Sequence, residues 1–173
     1  LNILKDVMYT ARLHDRDRIR QIVLEEKAGM EAGLTQVGHR VVNTRLKAHF
    51  SQADWVAEQM GGISQLLFLR DLLQQIEQNW GGVQLVLEEM RTLLLRQPYT
   101  LCNATVDSAG WKVVRGQVED FLTALPSEGL PVKTWQPGHM HPQEGLTVPA
   151  QVNFVGKGAN LYESGYQLHG SAF

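Results

Sequence analysis

The chain has 173 residues, 43% of them hydrophobic and 20% charged, which suits a soluble globular protein with one well-buried core. Its formal charge of -2 and pI near 6.3 remove the electrostatic basis for a nucleic-acid or anionic-membrane partner. A single cysteine, Cys102, excludes an internal disulfide and fits a reducing compartment, and no apolar run approaches the ~18 residues of a bilayer span.

The opening stretch, LNILKDVMYTARLHDRDR, has no secretory signal, and a start at Leu1 suggests that the natural N-terminus lies upstream. Leu1, Leu4, Val7, Met8 and Ala11 recur at helical spacing, and Asp15 is placed to cap the next helix. That helix carries an apolar stripe of Ile19, Ile22, Val23 and Met30, with Gly33 as its stop. Arg16, Arg18 and Arg20, interleaved with Asp15 and Asp17, read as a solvated face with pairing along the helix. Gly38 introduces HRVVNTRLKAHF, a further helical segment with Val41, Val42, Leu46 and Phe50 available for packing.

Ser51 with Asp54 three residues on has the form of a capping box, and it should start a helix that Gly61-Gly62 interrupts. Ile63 to Gln78 is apolar around much of its circumference, as in a helix buried in a larger body. Trp80-Gly81-Gly82 reads as another break before a helix from Val83 to Arg96. Tyr99 to Val106 then alternates like a strand with Cys102 buried in it, Asp107 caps a helix from Ser108 to Leu125, and Pro126 ends it. Ser127 to Gly145 has linker composition, Gln151 to Val155 reads as a strand, and Gly156 to Gly158 as a turn or bulge. The fold class expected from this succession is α+β, mainly helical with few strands. The division is 1–126 helical, 127–145 linker, and 146–173 the opening strand and start of a further domain.

The residues offer little active-site chemistry. His14, His39, His49 and His169 stand apart, and only His139 and His141 form a close pair. That pair lies in a Pro/Gly-rich loop, where a solvated loop is the better reading and adventitious metal the alternative. His141 to Gly145 mimics the first four positions of H-x-x-E-H, but Gly145 stands where the second histidine belongs and Pro142 opposes a helix. H-E-x-x-H, a G-x-S-x-G elbow and a complete phosphate-binding glycine motif are all missing from the sequence. Glu25-Glu26 and Glu88-Glu89 are adjacent on helices, so each pair diverges and is solvated by default. No catalytic, substrate-binding or zinc-binding residue is assigned.

Three long blocks carry a family resemblance: Arg18 to Leu46, Glu58 to Leu72 and Val148 to Phe173. Together they resemble the presequence protease branch of the pitrilysin and insulinase-like zinc metalloendopeptidases. The resemblance implies an enzyme of two homologous halves that close around a chamber holding unstructured peptides, with the zinc ligands and glutamate base in the first half. It implies that this chain lies in the second half, at the helical end of the third domain and the first strand of the fourth, with a substrate-holding arginine and tyrosine beyond Phe173. The chain alone is then expected to be inactive, its zinc being held elsewhere in the parent enzyme. Its partners would be the remaining protease domains and peptide substrates, with neither nucleic acid nor membrane. The implied compartment is the mitochondrial matrix or plastid stroma in a eukaryote and the cytoplasm in a bacterium. The competing reading is an independent helical protein-interaction module.

Overall fold

A computed structural model describes residues 2–34, 36–131, 135–138, 140–149 and 151–167. Among these the chain forms α1 (Asn2–Thr10), α2 (Arg16–Leu34), α3 (Gly38–Lys47), α4 (Gln52–Gly61), α5 (Ile63–Gln78), α6 (Trp80–Leu94) and α7 (Ser108–Thr123), with a 3₁₀ turn at Gln97–Tyr99. The starts follow from side chains that satisfy otherwise unpaired N–H groups. Asp15 accepts from the Arg18 N–H at 3.0 Å, Ser51 from Asp54 at 3.0 Å and Asp107 from Gly110 at 2.7 Å. The Ser51 hydroxyl also donates to the Asp54 carboxylate at 2.7 Å, a bond between side chains and not the return bond to the Ser51 N–H that a capping box makes.

The described residues contain no strand, so the fold is helical and the α+β expectation is corrected. Around Tyr99 to Val106 the chain first winds into the 3₁₀ turn and then runs extended without a ladder partner, leaving Leu101 93% exposed. β-branched alternation describes a surface suited to a sheet, and without a neighbouring strand it secures nothing. Cys102 is half-buried, not buried. Gln151 to Val155 is likewise no strand, for a reason given below. Two glycine readings also change: α2 continues through Gly33 to Leu34, and Gly81 and Gly82 lie in the first turn of α6. The cap there is Asn79, which accepts from the Gly82 N–H at 3.2 Å.

The chain divides into two compact units, Leu1–Arg20 with Gln75–Thr134, and Gln21–Gln74 with Trp135–Phe173. In the first, Ile76, Phe121 and Leu125 are buried. Arg16 and Arg20 both grip Glu77 at 2.5 Å, and the Arg16 Nε donates to the Ile76 carbonyl at 3.0 Å near the end of α5. Arg16 and Arg20 of the arginine cluster therefore make tertiary pairs, where the sequence suggested pairing along the helix. Further along, the Gln97 N–H donates to the Pro126 carbonyl at 3.0 Å, Arg96 to that of Glu128 at 3.1 Å, and the Tyr99 hydroxyl to that of Leu130 at 2.8 Å. The start of the linker-like stretch is thus tied back to the 3₁₀ turn.

In the second unit Val23, Ala48, Ile63, Leu66 and Leu69 are buried, together with the carboxylate-bearing Glu58. Glu31 accepts from Lys27 at 3.0 Å and from Arg70 at 2.7 Å, pairing α2 with α5. Trp55 and Trp135 meet with ring centroids 5.0 Å apart in a tilted arrangement.

Candidate functional site

The densest polar arrangement in the second unit is built where α4 turns into α5. Gly62 is all that separates the two helices. Glu58, on the last turn of α4, folds back so that its Oε1 accepts from the Ser64 N–H at 3.0 Å, serving α5 as a cap supplied from the previous helix. Space for this exists because residue 62 is glycine: a Cβ there would sit 2.8 Å from Glu58 Cγ and 2.7 Å from its carbonyl oxygen. The same Oε1 takes the Arg45 Nη1 at 2.8 Å, and Oε2 accepts from Gln59 at 3.2 Å.

Arg45 reaches this point from α3 and is divided among three partners. Its Nε donates to both Glu144 oxygens at 3.0 Å, and its Nη1 also donates to the Ser64 hydroxyl at 2.9 Å. Burial opposes the charge on Arg45, but its hydrogen bonds to Glu144 and Glu58 outweigh that and hold its pKa above the ordinary guanidinium value. The fully buried Glu58, by contrast, has this one cation among the described residues. One guanidinium therefore joins α3, α4, α5 and the chain at residue 144.

Beside this junction lies a groove of about 850 Å³ between α3 and residues 142–158. Its floor comes from Val41, Val42 and Leu46, its far wall from Val148, Val152 and Phe154, and Arg45 with Glu144 stands within it. The stretch from Phe154 to Gly158 follows α3 closely. Phe154 packs against Gly38, where a Cβ would run into the ring. A Cβ on Gly156 would collide with Val42 Cγ1 and lie 2.7 Å from Leu46 Cδ1, and one on Gly158 would lie 3.0 Å from the Phe50 ring. Val155, between them, is 93% exposed. Alternate residues thus meet the helix: the expected strand Gln151 to Val155 ends in this alternation with a helix opposite it, and Gly156 to Gly158, expected as a turn or bulge, continues along α3 instead.

The register has a simple origin. Two residues of extended chain advance about 6.6 Å, and one i to i+4 step of an α-helix about 6.0 Å. Residues 154, 156 and 158 can therefore follow the row Gly38, Val42 and Leu46 along α3, with Phe50 just past its end. Among the described residues, no backbone hydrogen bond is formed by 142–159, so side-chain packing and the Arg45–Glu144 pair hold this strap.

A smaller hollow of about 550 Å³ is lined by His49, Phe50, Trp55, Pro137, Met140 and Pro142. His14, His39, His49 and His141 are exposed. His139 and His169 lie outside the described residues. No group of three His, Cys, Asp or Glu side chains that could hold a metal occurs among the described residues. Sequence reading missed the Arg45–Glu58–Glu144 junction; the signal available was a glutamate one turn before a Gly-Gly pair that opens a helix.

Comparison with known proteins bears on the whole chain. A family model for a peptidase-associated region matches residues 1–72. Presequence protease 1, chloroplastic/mitochondrial, of Arabidopsis thaliana is 36% identical over 175 residues, a match covering 99% of this chain and 16% of that protein. Protein HypA of Clostridium perfringens (strain 13 / Type A) is 20% identical over 171 residues, covering 99% of this chain and 17% of that protein. The chain spans about one-sixth of the length of these curated relatives.

Proposed function

Because this chain is a presequence-protease segment, matching a protein of that kind over 99% of its length and carrying a peptidase-associated region at residues 1–72, we propose that it is the scaffold of a peptide-hydrolysing enzyme. In this reading the parent protein is a zinc metalloendopeptidase that degrades targeting peptides and other short unstructured peptides. Residues 1–126 supply the helical part of its third domain, and 146–173 enter the fourth. The segment forms chamber wall and interdomain packing, and the zinc ligands and glutamate base are carried elsewhere in the parent. Its compartment is a mitochondrion or plastid, or the cytoplasm of a bacterium.

The observation that carries the proposal is the end-to-end match. A physical feature supports it: Val86, Met90, Leu93 and Leu94 form an apolar row along α6 and are 54%, 50%, 41% and 66% exposed. A face of this kind suits a segment that other parts of the same polypeptide cover.

The test measures zinc content and cleavage of a fluorogenic unstructured peptide in two samples, the isolated chain and the full-length parent. The expected outcome is zinc and activity in the parent and neither in the chain. Stoichiometric zinc with peptidase activity in the chain alone would overturn the scaffold assignment. Lack of peptidase activity in the zinc-loaded parent would overturn the protease reading itself.

A further inference from the structure

We propose that the α3 face is a docking track for an extended peptide segment of the pattern aromatic-x-small-x-small, and that residues 154–158 are its resident occupant, replaceable by a peptide of the same pattern. The inference stands on the groove and does not depend on the protease reading.

Three features of the strap define what the track accepts. A notch at Gly38 takes an aromatic ring, and the two positions that follow at alternate spacing favour small residues, because a Cβ at 156 would collide with Val42 and Leu46 and one at 158 would press on the Phe50 ring. The intervening residues are unrestricted, as Val155 shows by its 93% exposure. Charge adds polarity to the track: Arg45 presents its Nε to a carboxylate ahead of the aromatic residue, a place Glu144 takes in the resident segment.

The strap is also built to leave. Residues 142–159 make no backbone hydrogen bond among the described residues, and Phe154 is 36% exposed even when seated. When it departs, Arg45 keeps Glu58 and the Ser64 hydroxyl, so the guanidinium is not stranded. Being covalently attached, the resident competes at the high effective concentration of a tethered ligand. A peptide supplied in solution should consequently bind the native chain weakly and a chain with a loosened strap more tightly.

The probe is a fluorescein-labelled peptide with the sequence of residues 151–160, titrated by anisotropy against the full chain. Phe154→Ala and Glu144→Gln should each strengthen its binding by about tenfold over the native chain, since each removes one hold on the resident. Gly38→Ala, which fills the aromatic notch, should weaken binding to the Phe154→Ala chain by at least about tenfold. A peptide carrying valine at both glycine positions should not bind. The proposal is overturned by absence of binding to both loosened variants, by equal affinity for a scrambled peptide, or by insensitivity to Gly38→Ala. Dimer formation by the loosened chains at the probe concentration, measured by light scattering, would assign the track to a second copy's strap and overturn a soluble-peptide occupant.

Discussion

Arg45→Met and Glu58→Gln remove opposite ends of one ion pair, and the structure predicts that they are far from equivalent. Glu58 is 0% exposed and has one cationic partner among the described residues, so Arg45→Met leaves a buried carboxylate with the Ser64 N–H and Gln59 alone. Breaking a buried pair in this way costs about 3–5 kcal/mol. Glu58→Gln leaves Arg45 with both oxygens of Glu144 and the Ser64 hydroxyl, and the glutamine oxygen can still accept from the Ser64 N–H. Its cost should be nearer 1–2 kcal/mol, roughly that of weakening charge-assisted hydrogen bonds to neutral ones. The double variant should cost less than the sum by at least about 1 kcal/mol, because residues that share a pair couple. Urea unfolding of the four proteins, followed by far-ultraviolet circular dichroism, gives all three quantities. Equal costs for the single variants, or additivity within about 0.5 kcal/mol, would refute the asymmetric junction.

Gly29→Ala in α2 and Gly116→Ala in α7 should each raise stability by about 0.5–1 kcal/mol, because both positions are helical and a Cβ meets nothing within 4 Å. Thermal melting checks this, and destabilisation at either site would contradict the open surroundings. Asn79→Ala should cost about 1 kcal/mol by removing the cap of α6, with faster amide exchange at Gly82 as its local signature. Hydrogen bonds from Arg70 and then Lys27 hold the Glu31 carboxyl below its ordinary value of 4.5, and Arg20 foremost does the same for Glu77. A depressed carboxylate pKa contributes stability that is present above 4.5 and lost as pH falls through the folded value, so acid should loosen both pairs below that point. Carboxyl titration by nuclear magnetic resonance should show the Glu31 midpoint rising in Arg70→Met, and an unmoved midpoint would deny the pairing.

What was legible in the sequence was whatever local geometry decides. Ser51 with Asp54, Asp107 before Ser108, and the apolar periodicity of Ile63 to Gln78 each specify their helix without distant help, and each appears where expected. Asn79 was overlooked because the glycines after it look like a break, although the first turn of a helix tolerates them once a side chain caps it. The strand reading of Gln151 to Val155 failed differently. Alternation records that every second residue faces something, and it does not say whether that something is a sheet or the row Gly38, Val42, Leu46. The junction was hidden for a third reason: Arg45, Glu58 and Glu144 are far apart in sequence, and only the fold brings a cation to a carboxylate that would otherwise be costly to bury. Homology supplied the family, which no local chemistry in these residues encodes.

The separation between Arg45 and Glu144, 99 positions, also orders events in time. Arg45, Glu58 and Ser64 lie close in sequence, so their contacts close small loops and form as soon as α3 to α5 have been made. The strap follows about a hundred residues later, which at typical synthesis rates of about 5–20 residues per second is about 5–20 s. During that interval a nascent chain carries the α3 face bare, with Val42 and Leu46 uncovered. Arg45 is already neutralised by Glu58, so what waits for the strap is an apolar surface and not an unpaired charge. Replacements in 152–158 should therefore act on how fast the strap comes off, leaving the rate of assembling the helical corner almost untouched.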